Sequence, residues 1–519
     1  MKSNSILAFL LFAISLALWI ISPIYPDEIA LRIGLSRGIQ DQGVVRELFS
    51  LCSSQVHKLN FMTIVPSTIL SFIDLNTNPA QMRLYSLATY IGILIVLVRR
   101  YGSSFPIILI SISGVACSGL ILVRHELYQI PLLMMCILIS SLDNKSVNKK
   151  GDYFRLIILM IAFQLALFVH LESVILIPVS CYVVYLILRN KIAPTKALIF
   201  SIIIFITSVY YDLKSHSLLC DEYKEIGLFW KSTLHLYPFN ISFFVEKFKA
   251  YSGAFIFKEN YAIGYIPGIL DSNNYIIKVF NFIIKAELIS VIIINIIIAI
   301  NTIKSIAKSF YSLRVTNAII STLENKNLVT SFLIGIPALL LLTIDADNNF
   351  YRSFYINILL VISSIIYLSS LSSPHKNFIK IFSVLLIILT TQNILLNYKY
   401  FYTQFLIKSN NLGPSMSYFT DWEKVDLDLE NLIKENKLDF SVGGIIVDDY
   451  TYNSLKKYRN IFPVTYLLLQ RDIIKKTAPE VLFLIKPNYA LIRCGYLQDI
   501  NIKPLVYNGL CLFNFRENK

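Results

Sequence analysis

The chain has 519 residues, of which 55% are hydrophobic and 15% charged, and its formal net charge is +14. Repeated apolar runs approach the roughly 20 residues needed to cross about 30 Å of hydrocarbon, which excludes a soluble fold for most of the chain and sets the class as a polytopic membrane protein. Many Lys and Arg residues lie in short loops between those runs, as membrane insertion demands, so the positive charge requires no nucleic-acid partner.

In chain order, the first apolar run, near residues 5–22, follows the single charge of Lys2. No small-residue cleavage site precedes Pro23, so it reads as a retained helix rather than a cleaved signal. Pro26-Asp27-Glu28 follows at once and opens a loop over 23–81. Within that loop, Ile29, Leu31, Ile33, Leu35 and Ile39 mix with Arg32, Arg37 and Gln40, and a second apolar cluster (Val44, Val45, Leu48, Phe49, Leu51) recurs at helical spacing, as in helices lying on a membrane surface. Phe61–Ile73, with Pro66 inside it, is too short to span and reads as re-entrant or interfacial. Further spans are predicted near 82–98, 105–123, 127–142, 155–170, 173–188, 197–211, 278–300, 328–344, 353–370 and 378–396. With the first span this makes about eleven transmembrane helices.

Loop charge orients them. Arg99 and Arg100, Lys145 to Arg155, Arg189 to Lys196, Lys304 to Lys326, and Lys376 with Lys380 all fall on one side, which the positive-inside rule makes cytoplasmic. The opposite side holds the 23–81 loop, tight turns at Arg124-His125-Glu126 and His170–Glu172, a long loop over 212–277, and the Asp345–Arg352 turn. After about residue 400 the composition becomes soluble. Trp422–Lys437 reads as a charged helix; Gly443–Val447, Val481–Ile485, Tyr489–Cys494 and Leu505–Phe515 read as strands. The fold class is therefore a mostly α membrane bundle over 1–400, followed by a small extracytoplasmic α/β domain over 401–519.

Seven cysteines show no metal-ligand spacing. Cys494 and Cys511, both in the C-terminal segment, either form a disulfide or remain free thiols.

Asp27 and Glu28 follow a proline at a helix start, so they either cap that helix or supply a carboxylate base in a partly desolvated cleft. Burial that raises a carboxylate's basicity suits it to accept the proton of an attacking hydroxyl. Arg124, Glu126 and Glu172 with His170 serve either as interfacial anchors or as substrate contacts, Arg124 facing phosphate and Glu126 orienting it. In Asp345-Ala346-Asp347-Asn348-Asn349-Phe350-Tyr351-Arg352 the two aspartates offer hard oxygens for a divalent cation, a weak motif on its own. Arg352 is the stronger phosphate ligand, because a guanidinium forks onto phosphate oxygens and stays charged near lipid. Tyr351 and Tyr355 fit the interfacial aromatic belt.

The acidic pair after the first helix, the surface helices, the span opening Gln81-Met82-Arg83-Leu84-Tyr85-Ser86 and the late Phe350-Tyr351-Arg352-Ser353-Phe354-Tyr355 turn together resemble the GT-C superfamily over residues 1–400. These are integral-membrane glycosyltransferases such as protein mannosyltransferases and the aminoarabinose transferases of lipid A. The resemblance implies transfer of a sugar from a polyprenyl-phosphate donor to an acceptor on the outer face of a bacterial inner membrane, with a first-loop acid as base. Carried onto this chain, it marks Asp27 and Glu28 as catalytic and Arg124 and Arg352 as donor-phosphate contacts, with the acceptor open. No nucleotide-binding glycine motif is present, consistent with a phosphate leaving group. Two rivals are a flippase or transporter and a polysaccharide polymerase or ligase. Paired repeats and intramembrane charges, expected of the first, are not read in the sequence. Arginines in the long loop, expected of the second, are missing from 212–277.

Overall fold

The structure is a computed structural model that describes residues 83–101, 129–141, 149–169, 171–189, 191–219, 275–312, 325–344, 350–371, 421–440, 444–455, 461–463, 487–493 and 503–516, with isolated positions 10, 12, 13 and 323. Its membrane part comprises α1 (Arg83–Tyr101), α2 (Ile130–Ser141), α3 (Lys149–Val169), a 3-10 segment (Leu171–Leu176) running into α4 (Ile177–Leu188), α5 (Pro194–Leu219), α6 (Tyr275–Ser312), α7 (Lys326–Ile344) and α8 (Phe350–Ser370). Each coincides with a span read from the sequence. The spans read at 105–123 and 378–396, nearly all of 5–22, the 23–81 loop and most of 212–277 lie outside the described residues.

The faces of these helices explain why they belong together. On α6, Leu288, Val291, Asn295, Ile298 and Thr302 recur every three or four residues and are buried, while Ile289, Ile293, Ile296, Ile297, Ile300 and Ile303 are exposed. Isoleucine stripes of the same kind are exposed on α3 (Ile157, Ile161) and α5 (Ile199, Ile202, Ile203, Ile206). An outward-facing aliphatic belt over three helices is the surface a bilayer demands and water penalises. Inside it, α8 is buried on every side from Tyr355 to Ile366, and α4 from Val179 to Leu188. Tyr355, expected in the interfacial belt, is thus a core residue at 1% exposure.

Because lipid tails are as apolar as leucine, packing and polar contacts rather than the hydrophobic effect must join the helices. A knot of small and polar side chains does this. Asn295 Nδ2 donates to the Leu360 carbonyl (3.1 Å) and Ser364 Oγ (3.0 Å), and Ser363 Oγ, 2.8 Å from Asn295 Oδ1, also lies 2.7 Å from the Ser331 carbonyl. Gly335 on α7 faces this knot, and a Cβ there would overlap the Asn295 and Ser363 side chains. Three helices therefore close on one point where only glycine fits. Pro337, inside α7, is tolerated because neighbouring helices cover the backbone it disrupts.

The C-terminal domain has its own core of Val425, Leu429, Leu432, Phe440, Ile445, Val447, Leu491 and Leu512. Helix α9 (Trp422–Glu435) buries Val425, Leu429 and Leu432 at i, i+4, i+7, and Asp421 caps it by accepting from the Lys424 amide (3.1 Å). Strands β1 (Gly444–Val447), β2 (Ile461–Pro463), β3 (Pro487–Arg493), β4 (Leu505–Tyr507) and β5 (Leu510–Asn514) form one sheet in the order β2-β1-β3-β5-β4. β1 runs parallel to β2 and β3; the β3, β5, β4 pairs are antiparallel. Two details differ from the sequence reading. β2 was absent from it, since three residues carry too little alternation. The single strand read over Leu505–Phe515 is a hairpin, turned by Asn508 and Gly509, both with positive φ (48° and 82°), the Asn-Gly signal of a type I′ turn. Val481–Ile485 lies outside the described residues. Cys511 on β5 is disulfide-bonded, which removes the free-thiol alternative at this position, and its partner lies outside the described residues.

Candidate active site

Hydrogen bonds and ion pairs sort the helix ends into two sets. Arg100, in the last turn of α1, donates to Asn327 Oδ1 in the first turn of α7 (2.6 Å). Lys191, just past α4, lies 3.2 Å from Asp152 in the first turn of α3 and 4.3 Å from the Tyr153 ring centre. Tyr182 on α4 donates to the Leu323 carbonyl before α7 (2.7 Å), and Asn301 on α6 donates to Tyr367 Oη near the end of α8 (2.7 Å). One end of the bundle thus gathers Arg99, Arg100, Lys149, Lys150, Arg189, Lys191 and Lys326, the residues that the sequence groups in inner loops. Lysine and arginine repel one another, so this clustering reflects a shared aqueous side more than mutual attraction.

The other end collects the start of α1, α2, α6 and α8 and the finish of α3, α5 and α7, and its described charges are of both signs: Arg83, Glu172, Asp212, Lys214, Lys278, Lys285, Glu287 and Arg352. Sequence-flagged residues attach there. Glu172 lies in the 3-10 segment, and Tyr351 and Arg352 lie in the first turn of α8. Asp27, Glu28, Arg124, Glu126, Asp345 and Asp347 lie outside the described residues. By covalent connection alone Asp345 follows the last residue of α7, and Glu126 precedes Gln129 by no more than about 11 Å of extended chain. Of the residues singled out in the sequence, the described ones at that end are Glu172, Tyr351 and Arg352. Nothing in the described part tests Asp27 and Glu28. Among the described residues no group of three His, Cys, Asp or Glu side chains could hold a metal.

Register adds two positions that motif reading passes over. α6 and α8 run parallel, with Asn295 at the level of Leu360 and Asn301 at that of Tyr367. Stepping back along both helices from the first pair, positions 287 and 352 each lie about 12 Å nearer the mixed-charge end, hence level with one another. The azimuth of position 287 falls between those of Asn295 and Asn301, the two α6 residues that bond α8, within about 40° of the second. A span read at 278–300 encloses Lys278, Lys285 and Glu287, whereas the membrane-crossing window of α6 is Leu288–Lys308, which leaves all three charges ahead of its start. The signal available in the sequence was phase: Glu287 is the single acid of that span, spaced at i+4 and i+11 from Val291 and Ile298 of the bundle-facing stripe.

The second position is Gln129, at the opening of α2. Cys136 on α2 lies 3.6 Å from Ser180 on α4, so in these parallel helices Gln129 stands level with Ser173, next to Glu172. Ser173 is tied to the Ala166 carbonyl (2.6 Å), which fixes the turn between α3 and the 3-10 segment at this level.

In the C-terminal domain, Asp448, just past β1, is a cap. Its Oδ1 accepts from the amides of Tyr450 (3.0 Å) and Thr451 (2.9 Å), and the Thr451 hydroxyl donates to the Leu491 carbonyl (2.7 Å), tying α10 (Asp449–Leu455) to β3.

No known protein family and no curated protein sequence matches the chain. Among solved structures it is similar to the archaeal oligosaccharyltransferase AglB from Archaeoglobus fulgidus, in complex with an inhibitory peptide and a dolichol-phosphate: 11% identity, TM-score 0.41, over 94% of this chain and 69% of that one. It is also similar to ArnT from Cupriavidus metallidurans bound to undecaprenyl phosphate: 13% identity, TM-score 0.39, over 97% of each chain. Both structures are of GT-C superfamily members, the superfamily whose layout the sequence resembles. Likenesses of this size assign this chain no substrate and no residue role.

Proposed function

We propose that the protein is a membrane glycosyltransferase that moves a sugar from a polyprenyl-phosphate donor to an acceptor hydroxyl or amine at the extracytoplasmic face. The observation that carries this reading is the separation of the two bundle ends: a basic end pinned by Arg100–Asn327 and Lys191–Asp152, and opposite it a mixed-charge end where Glu172, Tyr351 and Arg352 stand at helix starts. A sugar phosphate hanging from a lipid tail lies at the headgroup plane, so acids and guanidinium groups at that plane can reach it without a nucleotide-binding fold.

In the proposed step the acceptor oxygen or nitrogen attacks the anomeric carbon. A carboxylate, Asp27 with Glu28 as its neighbour, takes the proton. The bond from the anomeric carbon to the phosphate oxygen breaks, and the phosphate departs with the electron pair. Arg352 neutralises the charge that grows on the leaving phosphate, with Arg124 as a second ligand, and Glu287, level with Arg352, holds the guanidinium in place. Glu126 and Glu172 orient the acceptor. Asp345 and Asp347 would supply the oxygens if a divalent cation assists. The disulfide at Cys511 supports an extracytoplasmic C-terminal domain, because such bonds persist in oxidising compartments.

The test is transfer of radiolabelled sugar from polyprenyl-phosphate donors to a membrane extract by the full-length protein. Wild type should transfer, and Asp27→Asn should lose transfer by at least about a hundredfold at unchanged expression. Full activity in that variant would remove the base assignment; flux of the lipid-linked sugar without any transfer would favour a flippase.

A further inference from the structure

Gln129 is wholly buried, at 0% exposure, and neither its Nε2 nor its Oε1 has a hydrogen-bonding partner. An amide deprived of partners on both atoms is costly in a protein interior and more so in a bilayer, so an unsatisfied group of this kind calls for a reason. Its place supplies one. It opens α2 at the mixed-charge end, level with Ser173, the residue that follows Glu172 in the chain. A residue kept only for packing at that position would be apolar like its successors Ile130, Leu132 and Leu133, which are buried in the same core.

The chemistry of the two atoms narrows the ligand. Phosphate oxygens only accept and a cation only binds acceptors, so either would use one end of the amide and leave the other unpaired. A pair of neighbouring sugar hydroxyls uses both, one accepting from Nε2 and the other donating to Oε1. We infer that Gln129 is a specificity-determining residue that reads a hydroxyl pair on the glycosyl group of the donor. This rests on the proposed transferase function and deepens it: the phosphate is held by guanidinium groups, the sugar by an uncharged amide.

The inference separates stability from binding, and a pair of near-isosteric variants of the full-length purified protein tests it. Without ligand, Gln129→Met and Gln129→Leu remove two unsatisfied atoms and should melt at or above the wild-type temperature, by about 2 °C. Thermal shifts are then measured with bare undecaprenyl phosphate and with undecaprenyl phosphate carrying glucose, galactose, mannose or arabinose. Bare undecaprenyl phosphate should shift wild type and variants alike. At least one sugar-bearing lipid should bind the variants about tenfold more weakly than wild type. A lower melting temperature or failure to fold in both variants would show that the amide serves the fold and would overturn the inference. Equal binding of every sugar lipid by wild type and variants would also overturn it while leaving the transferase reading in place. Absence of any sugar-dependent shift in the wild type would overturn both.

Discussion

Arg352 and Glu287 show how single positions acquire meaning from register. A guanidinium stays charged at a lipid boundary, where an ammonium is more readily neutralised, and its fork matches two phosphate oxygens, which is the reason for proposing Arg352 as the donor-phosphate ligand. Arg352→Ala should therefore raise the apparent KM for the lipid donor by about tenfold or more while kcat falls less, and Arg352→Lys should recover only part of it. Unchanged donor saturation would remove the phosphate role. Glu287→Gln keeps shape and removes charge. If the level placement of positions 287 and 352 brings the two charges together, this variant should weaken donor binding about as much as Arg352→Ala does, and the double variant should show far less than the sum of the two losses. Strict additivity would show that the two residues act apart. Gln129 and Glu287 escaped motif reading because neither belongs to a pattern: one is an amide before an apolar run, the other an acid in phase with one. Asp27 and Glu28, in contrast, stand out in sequence through Pro26 and the preceding span.

Helices read from hydropathy agree with helices in the structure in place more than in length. α3 begins at Lys149, ahead of the apolar run at 155, because its first turn is held by Asp152 in contact with Lys191 and Arg155. α6 continues to Ser312, beyond the apolar window, as polar residues extend a helix once nucleated. What hydropathy leaves undetermined is how α6, α7 and α8 meet. The Asn295, Ser331, Ser363 and Ser364 cluster looks like scattered polar residues in sequence, yet in space it is one closed network with Gly335 at its centre. Gly335→Ala places a methyl where Asn295 and Ser363 already sit and should destabilise the bundle by about 1–3 kcal/mol, read as a lower melting temperature in detergent. Wild-type stability in that variant would mean that the knot can open without cost. In the C-terminal domain, Cys511→Ser should cost about 2–4 kcal/mol and make the domain susceptible to limited proteolysis, and peptide mapping without reductant should pair Cys511 with Cys494. A peptide linking Cys511 elsewhere would overturn the pairing with Cys494 that the sequence offers.

At the scale of the bundle, the described helix ends differ in charge: lysine and arginine predominate at one end, and acids and bases mix at the other. Orientation is testable by thiol labelling in a background with Cys52, Cys117 and Cys220 replaced by serine; among the described residues the free cysteines Cys136 and Cys181 are buried. In intact cells, a cysteine introduced at Lys150 should resist a membrane-impermeant maleimide, and one introduced at Asp27 should react. The reverse pattern would place the acidic pair in the cytosol and end the transferase reading. Composition and loop charge were enough to establish a helical membrane protein, the position of most spans and a small mixed α/β domain at the C-terminus, because hydropathy and the positive-inside bias are local, additive properties of the chain. The strand order β2-β1-β3-β5-β4, the hairpin within Leu505–Asn514, the burial of Tyr355, the knot around Gly335, the level placement of Glu287 with Arg352 and the isolation of the Gln129 amide were decided only in three dimensions. Each depends on which residues distant in sequence become neighbours, and a side chain's partners, unlike its polarity, are not written in its own segment.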